Sequence, residues 1–204
     1  ALFSCRKRGR HCKRYIIGNK ECNVACNHEI WYDIIQRSVE TGGMRMYLYH
    51  GSNMKVETPQ LILSNRTLDF GSGFYTTSDE SQATRWAKLQ TKRRKKGEAV
   101  LSIYDFDEEQ AAELALLRFE EADQKWLNFV TQNRKNLYNG DKFDIVIGPV
   151  ANDTTMPVLS DYMAGNISEE VALILLKPQK LANQYAFLTQ KGLQCLKYLG
   201  GKEI

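Results

Sequence analysis

The sequence predicts an α+β fold, and three observations carry the prediction. From residue 46 onward, short apolar and aromatic runs alternate with helical patterns, without long linkers or internal repeats. The Gly-rich turn "FGSG" leads into the strand-like "FYTT", whereas a doubly wound parallel sheet usually runs from such a turn into a helix. At 204 residues, 43% hydrophobic and 25% charged, the chain suffices for one well-packed domain and is short for two large ones.

The elements follow in order. "MYLYHG" reads as a strand, and "TLDFGSGFYTTS" as a turn running into a second short strand. Ser78 is the expected cap of a helix with Asp79 and Glu80 in its first turn, where the positive end of the dipole favours acids. Ala83, Trp86, Ala87 and Gln90 mark its inward face, and the basic run 92–96 with Gly97 ends it. "AVLSIYDF" is a strand by its β-branched and aromatic content, and Asp107 caps a helical "DEEQAAELALL". "LRFEEA" is a short strand or extended link. Asp123 starts a helix carrying Trp126, Leu127, Phe129, Val130 and Leu137. "FDIVIGPVAND" is a buried strand ending in a Gly-Pro turn, with Asn152 and Asp153 as caps of the next helix. Ser168 caps "EEVALILL", "NQYAFLT" is a further strand, and "QKGLQCLKYL" predicts a closing amphipathic helix.

Charge and cysteine are unevenly placed. Residues 1–45 carry nine Lys/Arg against four acids, so the remainder, with nineteen cations and twenty acids, is close to neutral. Cys5, Cys12, Cys22 and Cys26 fall in the first 26 residues, interleaved with His11 and His28, and only Cys195 lies beyond. The spacing supplies half a zinc site at most, and a lone apolar Cys195 fits a reducing, cytoplasmic setting without a disulfide framework. Residues 1–45 are therefore expected outside the fold, as a basic Cys-containing segment preceding a domain at 46–204. Because "GGMRM" suits a ribosome-binding site followed by a start codon, the natural product is expected to begin at Met44 or Met46. No apolar run approaches the length of a membrane span.

One histidine, His50, serves the whole body, so neither a Ser-His-Asp arrangement nor metal ligation has enough candidates. Gly71 and Gly73 lack the third glycine of the dinucleotide fingerprint; Thr76 stands there. The turn still lets a flat ligand approach the backbone and aims Tyr75 from a rigid base. Chemistry here rests on positioning and electrostatics rather than on a strong nucleophile.

"YHGS", "FGSGFYTTSDESQA" and "NQYAFLT", in that order, resemble the three motifs of the ADP-ribosyltransferase superfamily. The likeness is to its histidine–tyrosine–glutamate branch, which includes poly(ADP-ribose) polymerases and diphtheria toxin. "SNRTLDFGSGFYTT" and "FDIVIGPVANDTT" look more closely like a bacterial domain family placed in that superfamily. The resemblance covers residues 46–199. It implies a split antiparallel β-sandwich with flanking helices, and NAD as substrate rather than redox cofactor. His50 would hold the adenosine ribose, Tyr75 would stack on nicotinamide, and Gln184 would stand where that branch carries glutamate. Gly51 would hold the carboxamide through its backbone, with Ser52, Gly71 and Gly73 lining the pocket. The implied activity is single ADP-ribose transfer or NAD hydrolysis, with an undetermined macromolecular acceptor and, by analogy with toxins, a neutralising partner protein. The alternative is a catalytically silent module that binds NAD or, through residues 92–96, nucleic acid.

Each residue also has a plainer reading. His50 could be a satisfied strand-end histidine, Tyr75 simple strand core, and Gln184 an exposed edge residue. Arg66 stabilises its turn or pairs with a diphosphate, which suits a guanidinium. Asp144 opens its strand as a surface or capping acid, and the basic run is a solvated helix end lacking an interleaved aromatic.

Overall fold

The computed structural model describes residues 3–7, 10–17, 20–23, 46–61, 68–179 and 181–204. The chain divides into two compact units, Ala1–Met44 and Arg45–Ile204. The first carries an antiparallel meander of β1 (Phe3–Lys7), β2 (Arg10–Ile17) and β3 (Lys20–Asn23).

The second unit is α+β, built on one mixed seven-stranded sheet. Its strands are β4 (Met46–Ser52), β5 (Phe74–Thr77), β6 (Val100–Phe106), β7 (Leu116–Arg118), β8 (Ile145–Pro149), β9 (Asn183–Phe187) and β10 (Leu196–Glu203). They lie in the order β10-β6-β4-β5-β9-β8-β7. Every neighbouring pair is antiparallel except β7 and β8. The expected all-antiparallel sheet is corrected there for a physical reason. A helix crosses over between β7 and β8, and a crossover returns the chain in the same direction.

The junction of β4 and β5 positions everything that follows. β4 pairs with β6 along seven residues, but with β5 at a single pair, Tyr49↔Thr77. The sheet therefore consists of a three-stranded and a four-stranded half joined at a seam one residue wide. About this seam the sheet curls. β6 and β9 are three strand spacings apart, about 14 Å in a flat sheet. Yet the ring of Phe106 on β6 lies 5.7 Å from that of Tyr185 and 5.8 Å from that of Phe187, both on β9. Phe74 and Tyr104 meet edge-on at 5.7 Å across the same interior. One core cluster thus joins Leu48, Tyr104 and Phe106 of one half to Ile145, Ile147 and Phe187 of the other.

Helices cover the outer faces. α1 (Glu80–Arg94) packs Ala83 against Tyr49, Leu101 and Ile103. Its cap is Asp79, whose side chain accepts from the amides of Ser81 and Gln82, one residue later than expected. Trp86, expected inward, is 49% exposed; the small residues Ala83 and Ala87 are what lets α1 lie close to the strand. On the other half, α3 (Gln124–Arg134), α4 (Met156–Ala164) and α5 (Glu169–Leu176) bury Trp126, Leu127, Leu159 and Leu176 against Val146 and Ala186. Trp126 is fully buried, and its indole N–H donates to the Pro149 carbonyl at 2.9 Å, so no polar atom is stranded by that burial. α2 (Glu108–Ala112), capped by Asp107, bridges β6 and β7.

The C-terminal pattern is helical only for α6 (Gln190–Gln194), capped by Thr189; from Leu196 it is strand β10 on the edge beside β6. Leu137, 65% exposed, lies past the end of α3. Asp144 caps no helix. Its carboxylate accepts from the Ala115 amide and the Thr189 hydroxyl, tying α6 to the start of β8. Among the described residues no helix is long and apolar enough to cross a membrane.

Candidate functional site

At the seam, β4 leaves β5 after Tyr49. Continuing the register would set His50 opposite Thr76 and Gly51 opposite Tyr75, but no such pairing forms. The imidazole bridges the opening instead. His50 Nδ1 lies 2.7 Å from the Tyr75 carbonyl oxygen, which can only accept, so Nδ1 carries the proton. The ring stacks on Phe74 at 4.5 Å between centroids. Burial lowers the His50 pKa below the usual histidine value, the Tyr75 carbonyl opposes this, and the Arg94 charge adds to the lowering. The ring is therefore neutral at physiological pH, with Nε2 as an acceptor.

Tyr75 points to the other side of β5. Paired residues of adjacent antiparallel strands share a face, so Tyr75 and Thr77 lie on one side with Ala186 and Gln184. The Tyr75 hydroxyl donates to the Gly71 carbonyl at 2.6 Å and accepts from the Phe70 amide at 3.2 Å. Burial foremost, then the Asp69 charge, raises its pKa, so the phenol stays protonated. Gly71 sits at φ +94°, a conformation that favours glycine, and closes the turn from Leu68.

Gln184 is buried, and its amide Nε2 donates to Asp69 Oδ2 at 3.0 Å. Asp69 is itself 5% exposed. Its Oδ2 also accepts the Ala151 amide at 3.1 Å, and its Oδ1 accepts Arg134 Nε at 2.7 Å together with Arg134 Nη2. Sequence reasoning missed Asp69. An acid before a Gly-x-Gly turn reads as ordinary turn chemistry, and its partners are 65, 82 and 115 residues away.

The His50 ring thus lies on one side of β5, and the Tyr75 ring and the Gln184 amide lie on the other, so the three side chains do not share one face. His50 meets Tyr75 through its backbone carbonyl, not its ring. Gly51 touches α1. A Cβ there would stand 2.1 Å from the Ala83 carbonyl oxygen, so glycine is required for the close approach of the helix. Ser52 is buried beside it. Gly73 is pressed on the β9 backbone, where a Cβ would come within 2.5 Å of the Phe187 oxygen. Arg66 lies outside the described residues. Thr76, 4% exposed, has the one buried side-chain oxygen among the described residues without a hydrogen-bond partner. No group of three His, Cys, Asp or Glu among the described residues could hold a metal ion.

The basic run is exposed, as expected of a solvated helix end, and Arg94 within it is also tied down. Its guanidinium donates to Asn53 Oδ1 at 2.6 Å, while Asn53 Nδ2 donates to the Lys96 carbonyl at 2.9 Å. These bonds fasten the end of α1 to the residue after β4.

Residues 46–198 match the model of a family described as a protein of unknown function, DUF3990. The match spans most of the chain, which belongs to that family. No curated protein and no solved structure matches it.

Proposed function

We propose that the protein is an NAD-dependent mono-ADP-ribosyltransferase or NAD glycohydrolase, with its site at the β4–β5 seam. The observation that carries this reading is the His50 bridge: a neutral imidazole fixed through Nδ1 at the seam, with Nε2 left as an acceptor for a ribose hydroxyl. Beyond Tyr49 no strand among the described residues pairs with β4 on the β5 side, which suits entry of a flat carboxamide beside Gly51. The split antiparallel sandwich of the ADP-ribosyltransferase superfamily agrees with the curled two-part sheet, the parallel β7–β8 pair being a departure at its far edge.

Cleaving the nicotinamide–ribose bond sends both bonding electrons to nicotinamide, which leaves neutral, and puts positive charge on the sugar. Holding the dinucleotide strained and stabilising that cation is the main task. An acceptor hydroxyl or water then bonds to the anomeric carbon and loses its proton to solvent. The Gln184 amide orients a hydroxyl without supplying negative charge, which fits single transfer or hydrolysis rather than chain elongation.

The test is to incubate the full chain with NAD and measure free nicotinamide. Release above background, lost in His50→Ala, supports the enzyme; binding of NAD without release supports a silent module. A nucleic-acid-binding reading rests on the outer surface of α1, where exposed Trp86 stands among Arg85, Lys88 and the run 92–96. Affinity for single-stranded DNA that falls steeply with salt would favour it.

A further inference from the structure

The turn 69–71 reaches two of the three candidate residues at once. Phe70 and Gly71 hold the Tyr75 hydroxyl between an amide and a carbonyl, and Asp69 holds the Gln184 amide. We propose that Asp69 is a positioning residue that accepts the Gln184 N–H and thereby presents the amide oxygen to a ribose hydroxyl of the substrate. The inference rests on the NAD reading and deepens it, because it explains why an amide stands where an acid was expected.

An ionised carboxylate can only accept hydrogen bonds. Both Arg134 nitrogens lie on Oδ1, so its charge is answered on that side, and Oδ2 is left to the Ala151 amide and Gln184. Facing Oδ2, the carboxamide must turn its NH2 inward; the reverse orientation would set two oxygens against each other. Among the described residues the Gln184 oxygen has no hydrogen-bond partner, and the turned amide fixes its place. A glutamate at this position would bring a second carboxylate against Asp69 in a buried site, and like charges there disfavour ionisation. The negative charge of this site therefore stands at Asp69, already paired with Arg134, and position 184 is left to a neutral side chain.

The exchange of the two groups tests this. The full chain is compared with Gln184→Glu, Asp69→Asn and the double variant Gln184→Glu/Asp69→Asn, at a temperature where all remain folded. In Gln184→Glu the new carboxyl titrates above its unfolded value of about 4.3, so stability falls as pH rises through that window. The unfolding midpoint is expected to drop by about 5 °C at pH about 7 and to recover toward pH about 5, where a protonated Glu can donate to Asp69. The double variant, in which the amide introduced by Asp69→Asn donates to the new carboxylate but no longer accepts the Ala151 N–H, regains part of the midpoint lost in Gln184→Glu at pH about 7. With NAD as probe, Gln184→Glu is expected to lose about tenfold in kcat/KM and the double variant to regain most of it. Asp69→Asn alone lowers kcat/KM while staying folded.

A Gln184→Glu midpoint that matches wild type across this pH range overturns the proposal. So does a double variant that regains that part of its midpoint but not its kcat/KM, because Asp69 would then be structural only. Wild-type chain that neither binds nor cleaves NAD brings down the NAD reading and the positioning role with it, a result visible before any variant is made.

Discussion

His50 and Asp69 belong to opposite sides of β5 and resolve the burial of an ionisable group in opposite ways. His50 gives up its charge. One backbone carbonyl and an aromatic face suffice for a neutral ring. Asp69 sits among a guanidinium, a backbone amide and a carboxamide, which together use both oxygens of its carboxylate. A buried acid needs that many donors because desolvating an unpaired carboxylate costs several kcal/mol. The contrast has a consequence for construction: the His50 side depends on neighbours in the sheet, whereas the Asp69 side depends on four separate stretches of chain.

The contrast can be broken first at Asp69. Asp69→Ala leaves Arg134 unpaired and the Ala151 amide without its acceptor, and is expected to destabilise the fold by about 4 kcal/mol in urea unfolding. A loss below about 1 kcal/mol would mean that solvent reaches the network and the pairing is weak. Next comes the ground under His50. Gly51→Ala drives a methyl into the Ala83 carbonyl, so α1 must move away from β4, at about 3 kcal/mol. Hydrogen exchange should then accelerate along α1 more than along α3.

A smaller effect is expected at the residue between the two sides. Tyr75→Phe removes the hydroxyl bonds to Phe70 and Gly71 and should cost about 1.5 kcal/mol, read as a lower unfolding midpoint. The least change in magnitude belongs to His50→Gln, and its signature is pH. Because the folded chain lowers the His50 pKa from 6.5, the unfolded chain binds more protons below that value. The His50 contribution is therefore full above about pH 6.5 and is lost as pH falls toward the folded value. The wild-type minus variant difference in unfolding midpoint should shrink as pH falls, with His11 and His28 cancelling between the two chains. A difference that does not change with pH would show the ring to be as easily protonated folded as unfolded.

Much of the strand framework was legible because neighbours in sequence carry its signal. β4, β6 and β9 announce themselves by aromatic and β-branched residues, and the caps Asp107, Asp123 and Ser168 lie where the pattern puts them. Local pattern failed where a distant partner decided. "CLKYL" has helical spacing, but β6 offers its free edge, and the segment from Leu196 is strand. Trp86 fits the 3,4 rhythm of α1, yet the approach of α1 to Gly51 leaves room only for alanines on that line. At the site, His50, Gly71, Gly73 and Tyr75 lie within a few residues of recognisable turns. Asp69 adjoins the same turn but reads there as ordinary turn chemistry, and Arg134 carries no local signal, since their importance lies in meeting each other and Gln184 across the fold.

The one-residue seam at Tyr49 and Thr77 has a last implication. In a continuous sheet, a planar guest entering between neighbouring strands would first have to strip away ladder bonds. Here the ladder between β4 and β5 is already interrupted beyond Tyr49, so on the proposed reading a guest beside Gly51 would find no such bonds to break.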